Sequence, residues 1–353
     1  MEPGPKKGTR MQHHAGFART DLVATIATIA LAAALFVPHA MSARQRSAQF
    51  QTMDNIRAVA TGIMSMATDD RLYPPSYVYG ADRTSTSWRV EDQLGGHPIP
   101  ANGYVHFSAW LIERGYVADE GTFTSLVAPR GGAPRTNPGP DLEDWELWQV
   151  NDIGGGPGSP IPHDRQAARM AFTANHAVMP RNKFSTFTPR KNEQVRHPGT
   201  GVPGPGGNQL TRAAEVLDPS RTCLLTEFHY SDSAGWRTIA SSRTSKSHRP
   251  ITPFLGRSAG QDVFGEPASG DIPRFEYPEE SDIAADGDVG PGAIEDPRTS
   301  INAMGRLQPG GTAHMAMIDG SVLLKRPVES VTERLWGERF YAITGRDDVL
   351  PPQ

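Results

Sequence analysis

The sequence predicts an α+β protein: a long N-terminal helix, membrane-spanning in its first half and amphipathic in its second, then a loop-rich head with a small antiparallel sheet. Three observations predict it. Leu22 to Val37 is a run of sixteen residues without a charge, interrupted only by Thr25 and Thr28. Beyond it the chain keeps a helical period with no Gly or Pro from Ala43 until Gly62. After about Asp69 the composition turns sharply to Gly, Pro and polar residues, which supply most of the 36 glycines and 31 prolines among 353 residues.

The first 16 residues carry Lys6, Lys7 and Arg10 against the single acid Glu2. A basic flank before an apolar run sets orientation, with the positive side in the cytoplasm. The run itself is intermediate in length. A membrane span needs about 20 apolar residues and a secretory h-region roughly 7–15. Ala40-Met41-Ser42 fits a small-x-small cleavage site, so a secreted chain cut after Ser42 is one reading. The continuation argues against it. Phe50, Met53, Ile56, Val59, Ala60, Ile63 and Met64 recur at three- and four-residue spacing, with Gln45, Arg46, Gln49, Asp54, Asn55 and Arg57 between them. A single helix from Phe17 to Thr68 is about 75 Å long at 1.5 Å per residue. The domain reading is 1–16 as a cytoplasmic leader, 17–68 as the helix with 17–38 transmembrane, and 69–353 as an extracytoplasmic head.

In the head, "FSAWLIERGYV", 107–117, reads as a short helix with Ser108 as N-cap and Gly115 as its stop. "RTCLLTEFHY", 221–230, and "TAHMAMIDGSVLLKR", 312–326, read as strands. In the second, Asp319-Gly320 is a hairpin signal, because both residue types tolerate positive φ. Cys223 is the only cysteine, which excludes an intramolecular disulfide and a Cys-based zinc site. A net charge of −4 with both signs interspersed gives no basic stripe, so no nucleic-acid partner is expected.

Catalytic motifs are absent. There is no G-x-S-x-G elbow, no phosphate loop and no H-E-x-x-H pair. Glu227 and His229 alternate along one strand and would make a zinc site if they met His314. Exposed or hydrogen-bonded residues are the commoner outcome, and no enzyme activity is expected. The acidic stretch 279–290 holds Glu279, Glu280, Asp282, Asp286 and Asp288. Clustered oxygens on a loop suit calcium, with Asp282, Asp286 and Asp288 as candidate ligands. The spacing is not that of an EF-hand, and acidic loops are ordinarily just solvated. No cofactor is expected beyond that calcium option.

Gly16-Phe17, followed by an acid, an apolar run and a half-polar helical continuation, resembles the class III signal of type IV pilins and type II secretion pseudopilins. Pro38 and the stretch Tyr73 to Pro75 are also similar to that family. The resemblance implies cleavage between Gly16 and Phe17 by a prepilin peptidase, with N-methylation of Phe17. It places Asp21 at the fifth residue from the cut, where the family normally has Glu. There the acid would pair with the freed amino terminus of a neighbouring pilin-like subunit and set the assembly register. An intramembrane carboxylate costs about 2.5–3.5 kcal/mol without a partner. The alternative is that Arg19 and Asp21 sit at lipid headgroups.

"PSRTCLLTE", 219–227, and "GGTAHMAMIDGSV", 310–322, resemble a planctomycete pseudopilin-like family that ends with a His, nine residues and Asp-Gly. Asp319 and Gly320 match that motif. The His does not: Pro309 occupies its place, and His314 is five residues before Asp319. The resemblance implies a pseudopilin-like, membrane-anchored assembly subunit of a secretion or pilus-like system. It would be single-pass in the inner membrane, with its N-terminus cytoplasmic and its head periplasmic or on the cell surface. The alternative is a helix-tethered exported binding protein or metal-dependent hydrolase.

Overall fold

The computed structural model describes residues 4, 19–79, 104–151, 154–159, 163–182, 210–231, 235–236, 244–256, 275–285, 289, 299–341 and 349–350. Helix α1 runs Arg19–Asp70, 52 residues. The chain forms two compact units, Met1–Ser47 and Ala48–Gln353, so that α1 contributes to both.

Among the described residues, no helix is long and apolar enough to cross a membrane. This corrects the expected membrane-spanning first half, and with it the single-pass inner-membrane placement and the periplasmic or surface location of the head. The physical reason is length. Sixteen uncharged residues rise about 24 Å, against a hydrocarbon core of about 30 Å, and Pro38 and His39 follow at once. The descriptors drawn from pilin-type processing and secretion have no support in the structure.

The second unit is built around sheets whose strands follow in chain order. They are β1 (Tyr77–Tyr79), β2 (Tyr104–His106), β3 (Ala133–Pro134), β4 (Arg169–Met170), β5 (Phe172–Ala174), β6 (Arg181–Asn182) and β7 (Cys223–Glu227). Then come β8 (Tyr230–Ser231), β9 (Gly235–Trp236), β10 (Leu255–Gly256), β11 (Phe275–Glu276), β12 (Ala313–Met317), β13 (Val322–Lys325) and β14 (Val349–Leu350). The main sheet has the order β13-β12-β7-β5, all antiparallel. Two three-stranded sheets, β2-β1-β6 and β10-β11-β14, each contain one parallel pair. The expected single small antiparallel sheet is therefore corrected to several sheets, two of them mixed. Their strands are mostly two or three residues long, too short to show a period of two in the sequence.

The main sheet lies between two apolar cores. One holds Leu224, Leu225, Ala316 and Trp110 together with Ile56, Val59, Ile63 and Met66 of α1. The other holds Cys223, Met315, Met317, Phe254 and Trp336. Alternation along β12 explains the division, because successive side chains leave opposite faces. On β7 the register slips between Ala316 and Met317, whose partners are Leu225 and Cys223. The extra residue lets Leu224 and Leu225 enter the same core.

Residues 48–70 of α1 bury Thr52, Ile56, Val59, Ala60, Ile63, Met66 and Ala67, a stripe at helical spacing. Phe50, assigned from its spacing to the buried face, is 62% exposed. The true stripe includes Thr52, whose hydroxyl is satisfied by Ala48 O at 2.8 Å and by Ser125 Oγ at 3.1 Å. The last turn of α1 is fastened by a forked Arg114–Asp70 pair and by Tyr116 donating to Asp69.

The N-cap of the short helix Phe107–Glu113 lies two residues before the expected Ser108. His106 is the N-cap, and its Nδ1 accepts from Ser108 N at 3.3 Å. The hydroxyl of Ser108 instead accepts from Ala167 N and pairs with His106 Nδ1.

Candidate functional site

The sequence-derived site residues fall in different places. Gly16 and Phe17 lie outside the described residues, and Asp21 lies in the first turns of α1. Residues 22–30 of α1 are exposed throughout. Leu22, Val23, Ile26 and Ile29 among them are between 56% and 65% exposed. Within this stretch Thr28 returns its hydroxyl to Ala24 O at 2.8 Å, so the threonine adds no outward polar group competing with the apolar surface.

Asp319 and Gly320 form the β12–β13 connection, in a geometry other than the two-residue turn expected. Met317 N donates to Ser321 O at 2.8 Å and Gly320 N donates to Met317 O at 3.0 Å. Three residues, 318–320, therefore bridge the strands. Only Gly320 of the pair has positive φ, at 88°. This is a type I turn closed by a left-handed glycine. Asp319 Oδ1 accepts from both Ser321 N and Ser321 Oγ, at 2.9 and 2.6 Å, so its carboxylate holds the turn.

Two members of the suspected Glu227, His229, His314 group do meet. Glu227 is buried in β7. Its Oε2 accepts from His314 N at 2.8 Å and lies 3.0 Å from His314 Nδ1. Gln308 Nε2 donates to both carboxylate oxygens, at 2.9 and 3.1 Å, and Ser125 Oγ approaches Oε1 at 3.4 Å. Through Ser125 the network reaches Thr52 on α1. His229 is buried elsewhere, its backbone N–H on Ala303 O. Among the described residues no group of three His, Cys, Asp or Glu is placed to hold a metal ion. Donors from Gln308 and from the His314 backbone reach both oxygens of this carboxylate. Its arrangement ties three chain segments to the sheet.

Of the calcium candidates, Asp282 caps a short 3-10 turn, Glu280–Asp282, by accepting from Glu279 N at 3.0 Å. Asp286 and Asp288 lie outside the described residues.

Comparison with protein-family models, with curated proteins and with solved structures found no match. The site is therefore read from its own chemistry. Sequence reasoning missed Gln308, Ser125 and Thr52 in the Glu227 network. Each belongs to a different segment, and only the tertiary fold brings them to one carboxylate.

Proposed function

We propose that this chain is a structural assembly subunit, pseudopilin-like in its use of a helix, whose α1 packs against the same helix of further subunits. The observation that supports the reading is the unbroken exposure of residues 22–30, with Leu22, Val23, Ile26 and Ile29 more than half open to solvent. Apolar side chains on one helix need a cover, and an equivalent helix offers matching ridges and grooves. Covering the four returns about 1 kcal/mol each, roughly 4 kcal/mol gross per subunit before the entropy of association. In this reading the chain is trimmed between Gly16 and Phe17, and Asp21 pairs with a neighbour's new amino terminus to fix the register.

Sedimentation velocity over a concentration series tests it. The full chain should associate, and a variant carrying Ile26→Lys and Ile29→Lys should sediment as a monomer with unchanged thermal unfolding of the head. A wild-type chain that stays monomeric throughout, or a double variant that associates equally, would sink the proposal. Intact mass separately reports whether the chain purified from its own cells begins at Phe17.

A further inference from the structure

A second feature, independent of α1, is a groove of about 400 Å³ in the larger unit. That volume lies within the range of small-molecule sites. Ala109 and Ile112 line it beside Glu113, Glu120, Arg135 and Arg165, together with Asp164 and His163. Four of these charges form two ion pairs. Arg165 binds Glu113 at 2.5 Å, and Arg135 binds Glu120 at 3.3 Å.

Two groups here have bonding capacity left over. Arg135 is held by Gln166 O, Asp144 and Glu120, which uses three of its five N–H groups and leaves a fixed, largely buried guanidinium with two donors. Glu113 accepts through Oε1 from Arg165, and it is 38% exposed with Oε2 unengaged. Gln166 is buried, donates through Nε2 to Ser247 and accepts from Arg135 at its backbone O, and so holds the guanidinium in place.

The complement of this pair, Arg135 and Glu113, carries an anion for Arg135 and an N–H-rich cation for Glu113, joined by a short apolar stem beside Ile112. We infer that the groove binds a small zwitterion, an amine and a carboxylate on one short carbon skeleton, the chemistry of a free amino acid. Preorganised charges of both signs select such a molecule over an amine or an acid alone, because either half by itself leaves one wall unmatched.

Titration calorimetry with the full chain tests this, using alanine, β-alanine, N-acetylalanine and alanine methyl ester as probes. Alanine or β-alanine should bind with a dissociation constant of about 1 mM or tighter, and both blocked forms at least tenfold more weakly. Which of the two binds better reports whether the ligand is an α-amino acid or one with its charges further apart. Glu113→Gln, which keeps an acceptor for Arg165, should weaken the zwitterion at least tenfold and leave N-acetylalanine unchanged. Arg135→Gln should abolish binding of the acids; its circular dichroism spectrum tells loss of the site from loss of the fold. Absence of saturable binding by any probe, equal binding of blocked and unblocked forms, or indifference to Glu113→Gln would each overturn the inference.

Discussion

Glu227 Oε2 and His314 Nδ1 lie 3.0 Å apart across β7 and β12, although 87 residues separate them in the chain. The same oxygen accepts the backbone N–H of His314, so the carboxylate holds both the side chain and the strand. Replacing Glu227 with Ala leaves the donors of His314 and Gln308 without an acceptor in a buried place. Each such orphan costs about 1–3 kcal/mol. Glu227→Ala should therefore destabilise the head by about 3 kcal/mol or more. Glu227→Gln keeps the volume and one acceptor and should cost roughly half as much. Urea midpoints of the two variants decide it: equal small losses would mean that the carboxylate is not the hub of this network.

How much of this was legible in the sequence follows from particular residues. The spacing of Ile56, Val59, Ala60 and Ile63 marks a buried helical stripe, because 3.6-residue periodicity survives over many turns. Phe50 shares that spacing and is exposed. Hydrophobicity alone does not reveal where the packing partner ends. The strands at 223–227 and 313–317 are mostly apolar stretches of five residues and are visible, whereas Phe172–Ala174 and Tyr77–Tyr79 are too short to carry a pattern. Glu227 and His314 were recognisable as polar residues inside apolar strands. Gln308, Ser125 and Arg135 sit outside the named strands, where polar residues are common, so the groove and the part of the network beyond Glu227 and His314 had no sequence signal. The membrane reading failed on length: a run that looks apolar enough is too short to span, and the same residues are equally suited to protein packing.

His106 makes stability depend on acid. It is fully buried, and burial lowers its pKa to about 3. Its Nδ1 must also stay unprotonated to accept from Ser108 N. In the unfolded chain the ring titrates near 6.5. The folded pKa is the lower one, so below about pH 6.5 the unfolded state binds the extra proton. Stability is full above that pH and falls as pH drops towards about 3, by up to about 1.4 kcal/mol per unit. His106→Asn keeps a side-chain acceptor at the N-cap but does not titrate. The wild type should lose roughly 2–3 kcal/mol more than this variant between about pH 7 and about pH 4. Parallel slopes in urea titrations of the two proteins would refute the assignment.

Arg71 follows the last residue of α1 with φ of 60°, a left-handed conformation at the position where helices commonly place glycine. A side chain there crowds its own carbonyl, at a cost of about 1 kcal/mol. The neighbours fix the geometry from both sides. Arg114 forks onto Asp70, and Leu72 bridges to Arg212. The chain must therefore turn at residue 71 whatever residue stands there. Glycine adopts this φ without strain but raises the entropy of the unfolded chain, which offsets part of the gain. Arg71→Gly should stabilise the head by roughly 0.5 kcal/mol, with the Arg114–Asp70 pair intact. Arg71→Pro, whose ring holds φ near −65°, should destabilise it by several times that amount. Thermal unfolding midpoints of the two variants must move in opposite directions. If Arg71→Gly instead lowers the midpoint, the left-handed residue is held by an interaction of its own side chain rather than tolerated as strain.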